Sequence, residues 1–600
     1  MKILGIYWGL PSTVSLYDEG KVIAAVSEER FSRQKNDGVI PSEAIKFCLK
    51  SAGISINEID KVALASFYGQ GIGDTISKKW EWSVDDYIKE QKERWWPLFY
   101  GNPQDSKNQI EIFKDRLDFD QYPSEYLKKN YLSKDESQFH KDRKPLLAKF
   151  LDIDVNKVEV IEHHRGHAAY SYYASPFRGE PILALTVDGW GDGLNATAGT
   201  IDAHGKYVRF FETDQCNIGR IYRYITLLLG MKPNEHEFKV MGLAPYGKEK
   251  YSKKAIELFN STLCVDGLEF QWKVKPTDSY FWFKERLDGM RFDSIAFALQ
   301  SWTENLLCKW VKNAVEKSGI KKIVISGGVA MNIKAMGKVA EMDCVDDLFI
   351  GGSSSDESLA IGSAICLAED LTPKNGNSWD AKEVSFPDSL YLGPKATKKD
   401  ENNVISRIQN NTEFKIIEQP SHQETAELLA QGKVIARCAG RMEFGARALG
   451  NRSILADPRE LRIKDKINAM IKNRDFWMPF APIVLDSYVE RYLINPKGIH
   501  SPHMTIGFET TSEGFDSMIA ACHPADKTAR PQILTRDVNP CIYDLIKAFE
   551  EHTGCGAILN TSFNLHGYPI VNTPNDAFDV LTKSGLDGLL LSNYLILKVH

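Results

Sequence analysis

Short apolar runs alternate with helical periods through the first half of the chain. KILGIYW (2–8) reads as a buried strand, and TVSLYDEGKVIAAVSEE (13–29) as a hairpin turning at Asp18-Glu19-Gly20. Residues 41–52 carry a helical period, with Pro41 at an early position and Ser42 as the candidate cap. ILALTVDGWGDG (182–193) is a buried strand ending in a Gly-Asp turn, and KKIVISGGVAMN (321–332) is another strand running into glycines. Strands that deliver Gly-rich turns to one side of a sheet build nucleotide-binding α/β folds. Between them, residues 70–145 are dense in charge and aromatics (Trp80, Trp82, Trp95, Trp96) and predict a helical insertion covering the first domain. A polar stretch at 370–390 with two prolines predicts a linker. Beyond it a helix (ETAELLAQG) and a strand (VIARCAG) resume the pattern. The expected domains are therefore 1–375 and 385–600.

Bulk properties narrow the partners. A chain of 600 residues is too long for one core, which agrees with two domains. A net charge of -6 and a pI of about 6.2 provide no global field for nucleic acid or an anionic membrane. An anionic substrate then requires local Arg and Lys clusters. No run approaches the roughly 20 apolar residues of a membrane span. The first residues read as a strand rather than a signal peptide. The 10 cysteines contain no C-x-x-C pair and read as reduced thiols, so a cytoplasmic location is expected.

Three constellations carry chemistry. In HHRGHAAY, His163 and His167 stand at i and i+4, so one helix face presents both imidazoles. By itself such a pair fits a solvated or capping role better than a metal site. Asp188, at a strand end, and Asp356, after a Gly/Ser turn, would complete a set for iron or another divalent ion, with His164 beside it. The second constellation is two Gly turns, Gly189, Gly191, Asp192 and Gly193, then Gly327 and Gly328 followed by Asn332. They let backbone N–H groups approach a nucleotide. The third is GRMEFGARALGNRSILADPR, which packs Arg441, Arg447, Arg452 and Arg459 with Asn451 and Ser453 among glycines and apolar residues. Such arginines run partly through the interior and need partners, for which phosphate is suited. Lys472 and Arg474, then His523, Thr528 and Arg530, then Asn560, Ser562 and Asn564 extend this to a site for a polyanion such as ATP.

EERFSRQKNDGVIP, EHHRGHAA, EFKVMGLAPYG, SGGVAMN, the Arg block and LNTSFNLHGYPIV resemble, in order and over nearly the whole chain, the signature blocks of the nodulation/cephamycin-type O-carbamoyltransferases. The resemblance implies an α/β and α+β chain. Its N-terminal domain would be of the actin/sugar-kinase superfamily, similar to the transferase that makes tRNA threonylcarbamoyladenosine, and its C-terminal domain similar to threonylcarbamoyl-adenylate synthase. It implies that the C-terminal domain makes carbamoyl-adenylate from carbamoyl phosphate and ATP, with Mg2+. Arg441, Arg447, Arg452, Lys472 and Arg474 would do the chemistry. The N-terminal domain would hold Fe2+ on His163, His167, Asp188 and Asp356 and transfer the carbamoyl group to a hydroxyl of a small molecule. A homodimer is compatible with it. The family's His-Asp-Ser turn is replaced here by Leu10-Pro11-Ser12, which leaves the base for the acceptor hydroxyl unassigned. The alternatives are a tRNA-modifying enzyme of the same two domains, disfavoured by the missing basic stripe, and a sugar-kinase-like binding protein, disfavoured by the Arg block.

Overall fold

The computed structural model describes residues 1–69, 81–116, 137–373, 378–409 and 411–599. It divides into two units, Met1–Glu28 with Asn36–Phe386, and Glu29–Lys35 with Pro387–His600.

Unit 1 contains one sheet pattern twice. In the first sheet β1 (Lys2–Tyr7), β2 (Thr13–Asp18) and β3 (Lys21–Ser27) form an antiparallel meander. To it β4 (Lys61–Ala65) and β5 (Val158–Ile161) add in parallel, giving the order β3-β2-β1-β4-β5. In the second, β6 (Ile182–Gly191), β7 (Leu194–Ile201) and β8 (Tyr207–Thr213) form the meander. After a hairpin of β9 (Leu263–Asp266) and β10 (Glu269–Trp272), β11 (Lys322–Ser326) and β12 (Asp347–Ile350) add in parallel. This duplicated β-meander with parallel extension is the architecture expected of an actin/sugar-kinase domain. The central strands are buried along almost their whole length, as both faces of such sheets are covered by helices.

Two helices lie where the halves meet. His163–Ala174 follows β5 yet packs on β6 and β11, and Leu359–Leu371 follows β12 yet packs on β1, β2 and β4. They also pack on each other, and a Cβ at Gly362 would sit 1.9 Å from the Gly166 carbonyl oxygen. Glycine at 362 is thus what lets the backbones approach, and the approach brings the starts of both helices together.

The helix predicted at 41–52 spans Ser42–Ala52, but Ser42 does not cap it. The buried Glu28 carboxylate does so from a distance, accepting from Glu43 N at 3.1 Å and Ala44 N at 2.8 Å. Burial pushes this carboxyl up to about 6, against the pull of the two amides. Glu28→Ala is expected to cost about 1–2 kcal/mol. Unchanged thermal unfolding would show that the cap is dispensable.

The described parts of the insertion are helical (Val84–Glu90, Trp96–Phe99, Gln109–Phe113, Ser137–Leu151), while Trp80 lies outside the described residues. Trp82, Tyr87, Ile112 and Phe113 form a buried cluster with Leu227 and Tyr280. Part of the expected linker is packed. Ala381, Val384 and Phe386 are buried, and Ser385 exchanges backbone hydrogen bonds with Gly20 and Val22 beside β3. Its polar composition hid these apolar anchors, and the boundary between units falls at 386/387.

Unit 2 is a mixed eight-stranded sheet ordered β13-β22-β21-β14-β15-β20-β16-β19. Its strands are β13 (Phe414–Glu418), β14 (Ile435–Cys438), β15 (Arg452–Ala456), β16 (Ala481–Leu485), β19 (Gln532–Leu534), β20 (Ala557–Ser562), β21 (Gly588–Leu590) and β22 (Tyr594–Lys598). A two-stranded ribbon, β17 (Phe508–Glu509) with β18 (Thr528–Ala529), stands apart. The Arg block is the long connection between the antiparallel neighbours β14 and β15, together with β15 itself. The segment Glu29–Lys35 also belongs to this unit, so a chain cut at 385 lacks part of it.

Candidate functional site

In unit 1 the chemistry gathers at the C-terminal ends of the parallel strands, where open α/β sheets bind ligands. His163 and His167 open their helix, whose first amides are capped by Glu162. Asp188 comes from the end of β6, and Asp356 from the turn Asp356–Ser358 ahead of Leu359–Leu371. One ligand atom from each of these four residues lies within 4.8 Å of the others. The two Nε2 atoms are 3.1 Å apart, and Asp188 Oδ2 is 3.0 Å from His163 Nε2. Asp356 Oδ1 is 3.6 Å from His167 Nε2.

Surrounding groups orient the four. Ser66 Oγ lies 2.9 Å from His163 Nδ1, and Ser326 Oγ 3.3 Å from His167 Nδ1. A hydroxyl beside each Nδ1 fixes the ring so that both Nε2 atoms face the common centre. The Tyr7 hydroxyl donates to Asp356 Oδ2 at 2.6 Å, and Gly328 N donates to Asp188 Oδ1 at 2.9 Å. Burial opposes a charge on His163, but its hydrogen bond to Asp188 and the charge of Asp356 outweigh this and raise it to about 9. Burial and the neighbouring His163 hold His167 down at about 3. Two imidazoles and two carboxylates converging on one point form a donor set that fits a divalent cation. His164 turns away to Thr186 Oγ1, 2.7 Å distant.

The Gly-turn residues have other tasks in this structure. Asp192 clamps the site loop, accepting from the backbone N of His163, Phe67 and Tyr68 at 2.8–3.0 Å. A Cβ at Gly191 would fall 2.1 Å from the His163 ring, so only glycine leaves that imidazole its place. Asn332 caps the helix Ile333–Glu341 and exchanges amide hydrogen bonds with Gln300 at 3.0 Å. Gly327 has a φ of +101° at the end of β11, while Gly189 and Gly193 have open space where a Cβ would stand.

In unit 2 the predicted polar residues separate into a hydrogen-bonded scaffold and a cationic cluster. Arg452 is fully buried and donates to the backbone carbonyls of Asn572 and Ala439 at 2.9 Å and of Asn451 at 3.0 Å. Arg441 donates to the Leu392 and Gly393 carbonyls at 2.7 and 3.2 Å. Both therefore brace the connection in this structure. Asn451 joins Arg437 to the Arg441 carbonyl, Ser453 accepts from Gly450 N, and Asn560 donates to the Ala448 carbonyl. The buried Glu443 carboxylate accepts from the amides of Leu449, Asn451 and Arg452. Arg459 pairs with Asp457 at 2.7 Å. Arg452→Met is expected to lower stability by about 3 kcal/mol, because several buried carbonyls lose their donor. An unchanged melting temperature with catalysis lost would instead make Arg452 a substrate contact.

Arg447, Lys472, Arg474 and Arg530 form a cationic cluster. Lys472 is buried and donates to Asn564 Oδ1 at 2.7 Å and to the Ser562 carbonyl. Arg474 donates to Thr561 Oγ1 at 3.0 Å. Burial lowers the pKa of Lys472, and the Arg474 charge lowers it further. Burial and Arg447 push Arg474 down to about 10, and Arg530 is lowered by burial, Arg447 and Arg474. The charges acting on these groups are each other's rather than a carboxylate's. His523 and Thr528 shape the turn before Arg530 through Ala525 N and Asp526.

Sequence reasoning missed Tyr7, Ser66, Ser326 and Glu443 as supporting groups. Tyr7 reaches Asp356 across 349 positions of sequence, so no local pattern marks it. Among the described residues no helix is long and apolar enough to cross a membrane.

Comparison with known proteins bears on the same segments. The family model of the carbamoyltransferase N-terminus matches residues 2–365, and that of the carbamoyltransferase C-terminus matches residues 426–598. An uncharacterized protein of Methanocaldococcus jannaschii is 32% identical over 459 residues, 73% of this chain and 74% of its own. Nodulation protein NolNO of Sinorhizobium fredii is 30% identical over 600 residues, 97% of this chain and 78% of its own. Among solved structures, HypF of T. kodakarensis aligns at 12% identity and a TM-score of 0.34, over 63% of this chain and 49% of its own. With both halves matched in order, the chain belongs to the nodulation/cephamycin-type carbamoyltransferase family and is a carbamoyltransferase.

Proposed function

We propose that unit 2 converts carbamoyl phosphate and ATP into carbamoyl-adenylate, and that unit 1 transfers the carbamoyl group to a hydroxyl of a small molecule. The observation that carries this reading is the cluster of Arg447, Lys472, Arg474 and Arg530, in which the Arg447 and Arg474 charges depress the basicity of their neighbours. Holding such charges together costs free energy, which a bound polyanion offsets. Carbamoyl phosphate first yields its phosphate to water, leaving carbamate. A carbamate oxygen then attacks the α-phosphorus of ATP and pyrophosphate leaves, with Mg2+ accompanying the nucleotide. The guanidinium groups stabilise the charge that builds on the phosphorus oxygens.

In unit 1 the reading places Fe2+ on His163, His167, Asp188 and Asp356. When bound, a divalent cation supplies Lewis-acid polarisation of a carbonyl or an acceptor oxygen. Ser66, Ser326 and Tyr7 hold the ligand side chains in register. The acceptor oxygen attacks the carbamoyl carbon, its proton is lost, and AMP leaves. A tRNA acceptor finds no support in the net charge of -6.

The test is incubation with carbamoyl phosphate, ATP and a panel of hydroxyl compounds, followed by mass spectrometry. The expected products are one acceptor bearing a single carbamoyl group, AMP and pyrophosphate. Release of ADP with a phosphorylated acceptor would replace this reading with a kinase.

A further inference from the structure

EERFSRQK (28–35) opens one of the signature blocks, and the fold assigns most of it to unit 2. We infer that Glu29–Lys35 is a strap that positions the Arg447-bearing connection for donor activation, an inference that rests on the reading of unit 2 given above. Arg30 is 5% exposed, and its Nη2 donates to the Gly445 carbonyl at 2.7 Å. Gly445 lies two residues before Arg447 and has a φ of +91°. On the other side of Arg447, the Leu449 amide is held by Glu443 at 2.8 Å. The segment carrying Arg447 is therefore fixed at both ends, and one fixing point comes from the strap.

Arg33 supplies a second brace. Its two Nη atoms donate to the carbonyls of Ile570 at 2.6 Å and Pro569 at 3.0 Å. Ile570 packs in a buried cluster with Met442 and Ala448, which flank the same segment in sequence. Arg33 itself has a φ of +61°, a conformation that a non-glycine residue keeps only where its surroundings impose it. Its paired contacts to successive carbonyls do so. In sequence the strap is bracketed by Glu28 and Asn36, both of unit 1. Donor activation is then not a property of residues 387–600 alone. Arg30 and Arg33 are positioning residues, acting through Arg447 rather than on substrate.

The test is a double-mutant cycle in the full chain, read by carbamoyl phosphate-dependent ATP–pyrophosphate exchange. Arg30→Met is expected to lower kcat/KM for carbamoyl phosphate by about tenfold or more in the wild-type background, the scale of a misplaced catalytic group. In an Arg447→Lys background, where the group it positions is already changed, it should cost less than about threefold. Arg30→Lys, which keeps one donor, should recover part of the loss. Equal factors in the two backgrounds, or no loss in the wild-type background, would overturn the strap. If Arg30→Met does not fold, Arg30→Lys and Arg33→Lys run through the same cycle under the same criterion. Full exchange in Arg447→Ala would overturn the reading of unit 2 and the strap with it. Loss in Arg447→Ala with Arg30→Met unaffected removes the strap alone.

Discussion

His163→Ala is expected to empty the unit 1 centre of divalent metal and to stop carbamoyl transfer, while ATP–pyrophosphate exchange continues at the wild-type rate. His163 is the hub of the cluster. Its Nε2 is 3.0 Å from Asp188, 3.1 Å from His167 and 3.8 Å from Asp356. Alanine leaves one imidazole and two carboxylates, an incomplete shell. Affinity should fall by more than the ~10–100-fold seen when only an outer-shell partner is lost. Elemental analysis of the purified variant, beside both assays, checks it. Full metal content would remove His163 from the ligand set. Lost exchange in this variant would place adenylation in unit 1.

Arg447→Ala should lower exchange by roughly 100-fold or more, the effect of removing one charged contact to a transition-state phosphate. It should leave the melting temperature nearly unchanged. The same substitution relieves the repulsion that Arg447 exerts on Arg474 and Arg530, so both regain some of their ordinary basicity. Arg441 and Arg452, the neighbours of Arg447 in sequence, donate to backbone carbonyls, and their loss should be felt in stability. Exchange at wild-type level in Arg447→Ala would contradict its assignment to the donor-activating cluster.

The sequence disclosed the ends of the buried strands and the i, i+4 histidines, because period and strand burial are local properties. It disclosed Asp188 and Asp356 because each follows a strand or a Gly/Ser turn that could aim a carboxylate. It did not mark which arginines of the block brace the backbone. Arg452 and Arg447 look alike in sequence, and only the fold brings Arg452 to the carbonyls of Asn572 and Ala439. Asn332 and Asp192 read as nucleotide contacts on the strength of their glycine neighbours. The fold turns one into a helix cap and the other into a clamp on three amides. The Glu28 cap, the Tyr7 contact to Asp356 and the strap at Glu29–Lys35 all depend on pairings far apart in the chain, which a periodicity cannot carry.

The most direct test of the central claim is ATP–pyrophosphate exchange by the wild-type full chain, with and without carbamoyl phosphate. The expected result is label passing from pyrophosphate into ATP only when carbamoyl phosphate is present. Absence of exchange, with ATP instead cleaved to ADP, would contradict adenylation as the step that activates the carbamoyl group.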